Sequence, residues 1–205
     1  MVLRPSEEAG VVQVRQDFLS IALTTLGIAV GIFVLLFIQN EPFFITLIIL
    51  GITGMLLSIA AVKEYDYDEY VSSSEAYMIL AYGVSAALVL ILLGTVVSLP
   101  KVFALPRYMN MLAAVLIAAA EEQFFRAGLM NLFLSRFSAL VAILTTSFMF
   151  GLYHMAVYGS EPTAILLTTV GGAVLGFVAV ATGRVSTSIV AHMIYNFIAA
   201  LRTAA

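Results

Sequence analysis

The 205-residue chain contains no cysteine, which excludes disulfides, thiolate metal sites and a cysteine nucleophile, and leaves the redox compartment open. Charge is scarce too: 10% of the residues are Asp, Glu, Lys or Arg, against about 25% in an ordinary soluble domain. The net charge of −3 comes without any basic stripe or cluster to neutralise phosphates, so nucleic acid is excluded as a partner. A cleavable signal peptide is not expected, because Glu7, Glu8 and Asp17 precede the first apolar run and that run is too long for a signal h-region. There is no fixed-period repeat and no low-complexity segment.

What fills the chain instead is apolar side chain, 62% of all residues, with a mean hydropathy of +1.10. A soluble fold of this length exposes too much of its surface to hide that proportion. The bilayer is therefore the expected solvent, and the expected fold is all-α, a polytopic membrane helix bundle. A hydrocarbon core of about 30 Å needs roughly 20 apolar residues in helix. Uncharged apolar runs at 18–38, 43–62, 76–98, 108–134, 138–157, 163–181 and 186–202 give about seven transmembrane helices, with six and eight as the bounds. The joints carry turn residues, as in Asn40-Glu41-Pro42, Pro100-Lys101 and Gly159-Ser160-Glu161-Pro162, and the polar stretch 63–75 reads as an acidic surface loop. Gly27, Gly31, Gly171, Gly172 and Gly176 are small residues suited to close helix approach. With seven spans, Arg4, Arg15, Lys63, Arg136 and Arg184 fall on one side, and Lys101, Arg107 and Arg202 on the other. That bias favours a cytoplasmic N-terminus in a multi-pass protein of the cell membrane. Short loops and the lack of a targeting segment point to a prokaryotic host.

Ten of the twelve acids, Glu7, Glu8, Asp17, Glu41, Glu64, Asp66, Asp68, Glu69, Glu75 and Glu161, lie in termini or loops. The other two, Glu121 and Glu122, are adjacent in the middle of MNMLAAVLIAAAEEQFFRAGLMNLFL. A carboxylate at bilayer depth costs at least about 2.5–3.5 kcal/mol, and two neighbours repel each other as well. Arg126, four residues after Glu122, is on nearly the same helical face and can neutralise it. Glu121 points about 100° away around the helix, free to meet other helices. The chain has two histidines, and both lie in apolar runs: His154, with Phe150 one turn before it, and His192, with Asn196 one turn after it. The Phe150 spacing can set an aromatic ring against the imidazole. Polar faces on three separate helices cannot remain in lipid, so they are expected to converge inside the bundle.

A carboxylate beside a neutral imidazole can activate water, and a second His with an Asn can supply donors to a developing oxyanion. That suffices for amide hydrolysis without a covalent nucleophile. The same side chains, Glu121, His154 and His192, have the ligand count of a catalytic zinc site, although the short H-E-x-x-H signature is absent. Ser147 and Ser188 are single hydroxyls in apolar helices, more suited to bonding their own backbone than to nucleophilic attack. A transporter or proton relay would also carry intramembrane Glu and His, but neither duplicated halves nor paired broken helices are present. A non-catalytic membrane scaffold is the other competing class.

Glu121-Glu122-x-x-x-Arg126, Phe150-x-x-x-His154 and His192-x-x-x-Asn196, in that order on three hydrophobic segments, resemble the CPBP family of intramembrane proteases. That family includes the type II CAAX prenyl endopeptidases and the Abi bacteriocin-immunity proteins. The resemblance implies a catalytic core over 108–205, with 1–107 as a variable accessory transmembrane region of one integral membrane domain. It also implies roles: Glu121 and His154 activate water, His192 and Asn196 stabilise the oxyanion, and Glu122 with Arg126 braces the site. The family was once described as metalloproteases, yet a water-activating glutamate scheme without bound metal fits the same side chains. The implied partners are membrane lipid and a membrane-associated peptide or lipidated protein. The substrate is a prenylated CAAX-type protein or, in a prokaryote, a non-prenylated peptide in processing or bacteriocin immunity.

Overall fold

The computed structural model describes residues 25–34 apart from 28 and 32, then 43–61, 73–96 and 107–203. Among the described residues every regular element is a helix. The helices are α1 (Phe43–Ala61), α2 (Ser73–Val96), α3 (Arg107–Glu122), α4 (Asn131–Leu134), α5 (Ala139–Tyr153), α6 (Met155–Tyr158), α7 (Pro162–Thr182) and α8 (Val185–Thr203). Between α3 and α4 the chain stays helical but widens into a π-helical stretch, Gln123–Met130, that begins immediately after the adjacent glutamates. The apolar runs from 43 onward coincide with these helices to within a few residues. Of the run 18–38 only the described part of 25–34 is seen, and it is helical. The stretch 63–72, the Asn40-Glu41-Pro42 joint and the Pro100-Lys101 joint lie outside the described residues.

Helix ends follow local chemistry. The Ser138 hydroxyl caps α5 by accepting from the Val141 N–H at 3.5 Å. Pro162 opens α7, where its missing N–H would have been unpaired anyway. Gly183 closes α7 at φ 65°, a left-handed turn that glycine adopts without a Cβ clash. One reading needs correction. Ser73–Glu75 is the first turn of α2 and not the end of a loop, and Glu75 pairs there with Arg184, which follows the Gly183 turn. An acid in a first turn complements the helix dipole, and its cation partner lies far along the chain.

The bundle pairs α3 with α8, α5 with α7, α2 with α8, and α1 with the π stretch. Gly54 allows the last of these: a Cβ there would stand 2.7 Å from the backbone of Gln123 and Phe124. The π stretch is buried from Phe124 to Met130, with Phe124 and Phe125 fully so. The other flagged glycines also sit at helix contacts, Gly27 against Leu132, Gly31 against Leu129, Gly171 against Leu90 and Gly176 against Ile143.

Burial is inverted relative to a water-soluble bundle. Leu140, Leu144, Phe148 and Leu152 form an exposed row at one-turn spacing along α5, and Leu88 and Leu92 do the same on α2. Glu121, Glu122 and Arg126 are 4%, 0% and 1% exposed. Two helices, over Ser74–Thr95 and Pro162–Thr182, are long and apolar enough to cross a membrane, and Ile45–Ser58 and Ala139–Tyr153 are shorter apolar helices.

Candidate active site

Glu122 and Arg126 form the i,i+4 pair that their spacing suggests, Arg126 Nη1 donating to Glu122 Oε1 at 2.8 Å. Arg126 also donates from Nη2 to the Gly172 carbonyl at 2.8 Å, and its guanidinium lies over the Phe150 ring at 4.7 Å. The carbonyl can come that close because residue 172 has no side chain. A Cβ there would stand 3.2 Å from both Phe150 Cδ1 and Ser147 Cα. Four elements therefore hold one guanidinium: α3 and the π stretch through the ion pair, α5 through Phe150, and α7 through Gly172.

His192 enters from α8 and lies between the two glutamates. Its Nδ1 is 2.8 Å from Glu122 Oε1 and its Nε2 is 3.6 Å from Glu121 Oε2. Glu122 Oε1 already accepts from Arg126, so Nδ1–H of His192 is the donor. The 3.6 Å separation on the other side exceeds a hydrogen bond. The adjacent glutamates diverge around their helix and each has partners of its own, yet both also reach the same imidazole. Tyr153, from α5, sets its hydroxyl beside Glu121. Ser188, one turn before His192, adjoins Glu122 while donating to the Val185 carbonyl at 2.8 Å. Ser147 likewise donates to its own helix, to Ile143 at 2.6 Å.

His154 terminates α5, and its ring packs on Phe150 with centroids 4.4 Å apart at 57°, a tilted contact in place of a flat stack. Its Nδ1 lies 2.8 Å from the Phe150 carbonyl. A carbonyl can only accept, so Nδ1 carries the hydrogen and the neutral ring keeps a lone pair on Nε2. Phe150 also touches His192, centroids 5.8 Å apart, and so separates the two histidines. Asn196 donates from Nδ2 to the Ala114 carbonyl at 3.1 Å, which orients the amide and leaves its second N–H uncommitted by that bond. His154, His192 and Asn196 line one cavity of about 70 Å³, together with Tyr158, Tyr195 and an apolar wall from α2 and α7. Glu121 and Glu122 are not among its lining residues; His192 stands between them and the cavity.

All six residues singled out from sequence thus lie at one locus, with Glu121, Glu122, Arg126 and His192 buried and His154 and Asn196 half-buried. The ion-pair contact of Glu121 is with His192, and His154 makes none with it. Residues 103–198 match the family model described as type II CAAX prenyl endopeptidase Rce1-like. The matched segment, slightly under half of the chain, is similar to that family. No curated protein and no solved structure matches the chain. The Rce1-like segment holds the whole polar cluster, and its family is one of endopeptidases. Helix α2, which precedes the matched segment, nevertheless supplies part of the cavity wall.

Sequence reasoning missed Tyr153, Ser188's place beside Glu122, and the Gly172 and Ala114 carbonyls. Ser188 had a usable signal in its i−4 spacing to His192. Tyr153 had none, since its neighbour His154 points about 100° away on the helix. Glu121, His154 and His192 were the candidate metal ligands. Among the described residues no group of three or more His, Cys, Asp or Glu is placed to hold a metal ion.

Proposed function

We propose that the chain is an intramembrane endopeptidase that hydrolyses a peptide bond of a membrane-associated substrate, using water activated by its own carboxylate and imidazole groups. Its exposed leucine and phenylalanine rows face lipid tails in a bundle of about seven spans. One observation carries the proposal: both histidines of the chain converge with Glu121, Glu122 and Arg126 beside a cavity that Asn196 also lines.

In this scheme the Nε2 lone pair of His154 orients a water in the cavity. The water oxygen attacks the scissile carbonyl carbon, and its proton passes to the pair formed by His192 Nε2 and Glu121. The resulting oxyanion accepts from the free N–H of Asn196 and from His192 once its Nε2 is protonated. When the intermediate collapses and the C–N bond breaks, the same proton goes to the leaving amine. Glu122 and Arg126 keep the His192 ring oriented throughout. No step is routed through a metal.

Detergent-purified protein tested on a quenched fluorogenic peptide panel checks this. Glu121→Gln and His154→Ala are expected to lower kcat by about 10²-fold or more, as loss of general acid–base catalysis does. Asn196→Ala is expected to cost about 10²–10³-fold, in the range of a lost oxyanion donor. A wild type that cleaves nothing the variants leave intact would overturn the protease reading. One equivalent of zinc per chain, lost together with His154 and His192, would replace the metal-free scheme.

A further inference from the structure

Tyr158 lines the same cavity as His154, His192 and Asn196, yet takes no part in the proposed proton transfers. Its hydroxyl has no hydrogen-bond partner among the described residues, although tyrosine hydroxyls removed from water usually have one. We propose that the Tyr158 hydroxyl holds the substrate, donating to one of the two backbone carbonyls next to the scissile one. The proposal rests on the endopeptidase reading and adds a substrate-binding residue to it.

Placement is the first reason. Phe150, His154 and Tyr158 follow one another at four-residue spacing through the break between α5 and α6, and all three line the cavity. The Tyr158 N–H donates to the His154 carbonyl at 2.9 Å, and the two rings lie nearly parallel, 16° apart with centroids at 5.9 Å. Gly159, at φ 65°, ends α6 directly after Tyr158. The phenol is therefore carried on the same short piece of backbone as the imidazole that orients the water. Its oxygen is within electrostatic reach of Glu121 and Tyr195, so it is turned into the bundle and not toward lipid. Availability is the second reason. The Thr168 hydroxyl donates to its own helix, to the Ala164 and Ile165 carbonyls at 2.9 and 3.0 Å. His154 Nδ1 is taken by the Phe150 carbonyl, and Asn196 gives one N–H to Ala114. The Tyr195 hydroxyl is uncommitted too, but its oxygen is set against α2, 2.9 Å from where a Cβ at Gly94 would stand. Chemistry is the third. A peptide drawn into a largely apolar cavity leaves water behind, and each carbonyl it brings then needs a donor. Asn196 and His192 serve the scissile carbonyl, so its neighbours require another group. A phenol supplies one neutral O–H and leaves the charge of the site unchanged.

The test uses the full-length protein in detergent and a peptide that the wild type cleaves. Tyr158→Phe keeps the ring beside His154 and removes the hydroxyl alone. It is expected to lower kcat/KM by about three- to tenfold, the scale of one neutral hydrogen bond, with kcat within about twofold of wild type. That split marks a bond made equally to bound substrate and transition state, and a phenol that only packs on His154 would leave both constants unchanged. Two further peptides replace each amide next to the scissile one, in turn, by a trans-alkene, which deletes its carbonyl. One of them is expected to lose about three- to tenfold in kcat/KM with the wild type, and to be cleaved no worse by Tyr158→Phe than by the wild type. A wild type that cleaves both alkene peptides as well as the parent would overturn the inference alone, whether or not the variant folds. So would a Tyr158→Phe enzyme with unchanged kcat/KM, one whose loss lies in kcat, or one whose loss is the same on both alkene peptides as on the parent. Failure of every form to cleave any peptide would remove the endopeptidase reading and this inference with it.

Discussion

Arg126 is the residue on which the rest of the cluster leans. It is a fully buried cation with a carboxylate at 2.8 Å, a backbone carbonyl at 2.8 Å and an aromatic face at 4.7 Å. Removing one member of a buried pair leaves the other desolvated and uncompensated. Arg126→Ala is therefore expected to lower stability by about 3–5 kcal/mol, measured by reversible denaturant unfolding in detergent micelles. Combining it with Glu122→Gln is expected to recover part of that loss, since the orphaned carboxylate is then neutral; a double variant no more stable than Arg126→Ala would contradict the account. The Glu122–Arg126 contact was legible in sequence because an i,i+4 pair depends only on helix geometry. The contacts of His192 with Glu122, 70 residues away, and of Asn196 with Ala114, 82 residues away, were not, because they depend on how α8 is rotated against α3.

At the scale of the helices, two neighbouring glycines on α7 have different jobs. A Cβ on Gly172 meets Ser147 Cα and Phe150 at 3.2 Å, whereas one on Gly171 meets only Leu90 at 3.4 Å, an ordinary contact. Gly172→Val is expected to force α7 away from α5, costing about 1–3 kcal/mol by overpacking and drawing the carbonyl off Arg126. Gly171→Ala is expected to change the thermal midpoint little. Thermal melts of both variants in one detergent check the contrast, and equal destabilisation would refute it. Helix positions were readable from the lengths of apolar runs and from the Gly159-Ser160-Glu161-Pro162 joint between α6 and α7. The π-helical stretch 123–130 was not, because the same residue types suit an α-helix. Widened turns occur often at functional sites, and here one follows directly on Glu121 and Glu122 and carries Arg126.

For the molecule as a whole, the outward leucine rows and the buried charges support the proposed bilayer setting. The chain is expected to stay with membranes through alkaline carbonate and high-salt washes and to be released only by detergent. Release by carbonate alone would rule out the multi-pass reading, because a surface-bound protein behaves that way. Local windows of side chains by themselves determined the helical class and most helix limits, and made the bilayer the expected solvent. They also marked Glu121, Glu122, His154 and His192 as costly to leave facing lipid, and so pointed to the candidate site. Only the tertiary structure decided that Glu121 and Glu122 share one imidazole, that Tyr153 joins them, and that α2 walls the cavity. Those facts depend on the depth and rotation of helices against one another, which are set by glycine contacts and side-chain fit across the bundle and leave no periodic trace in the chain.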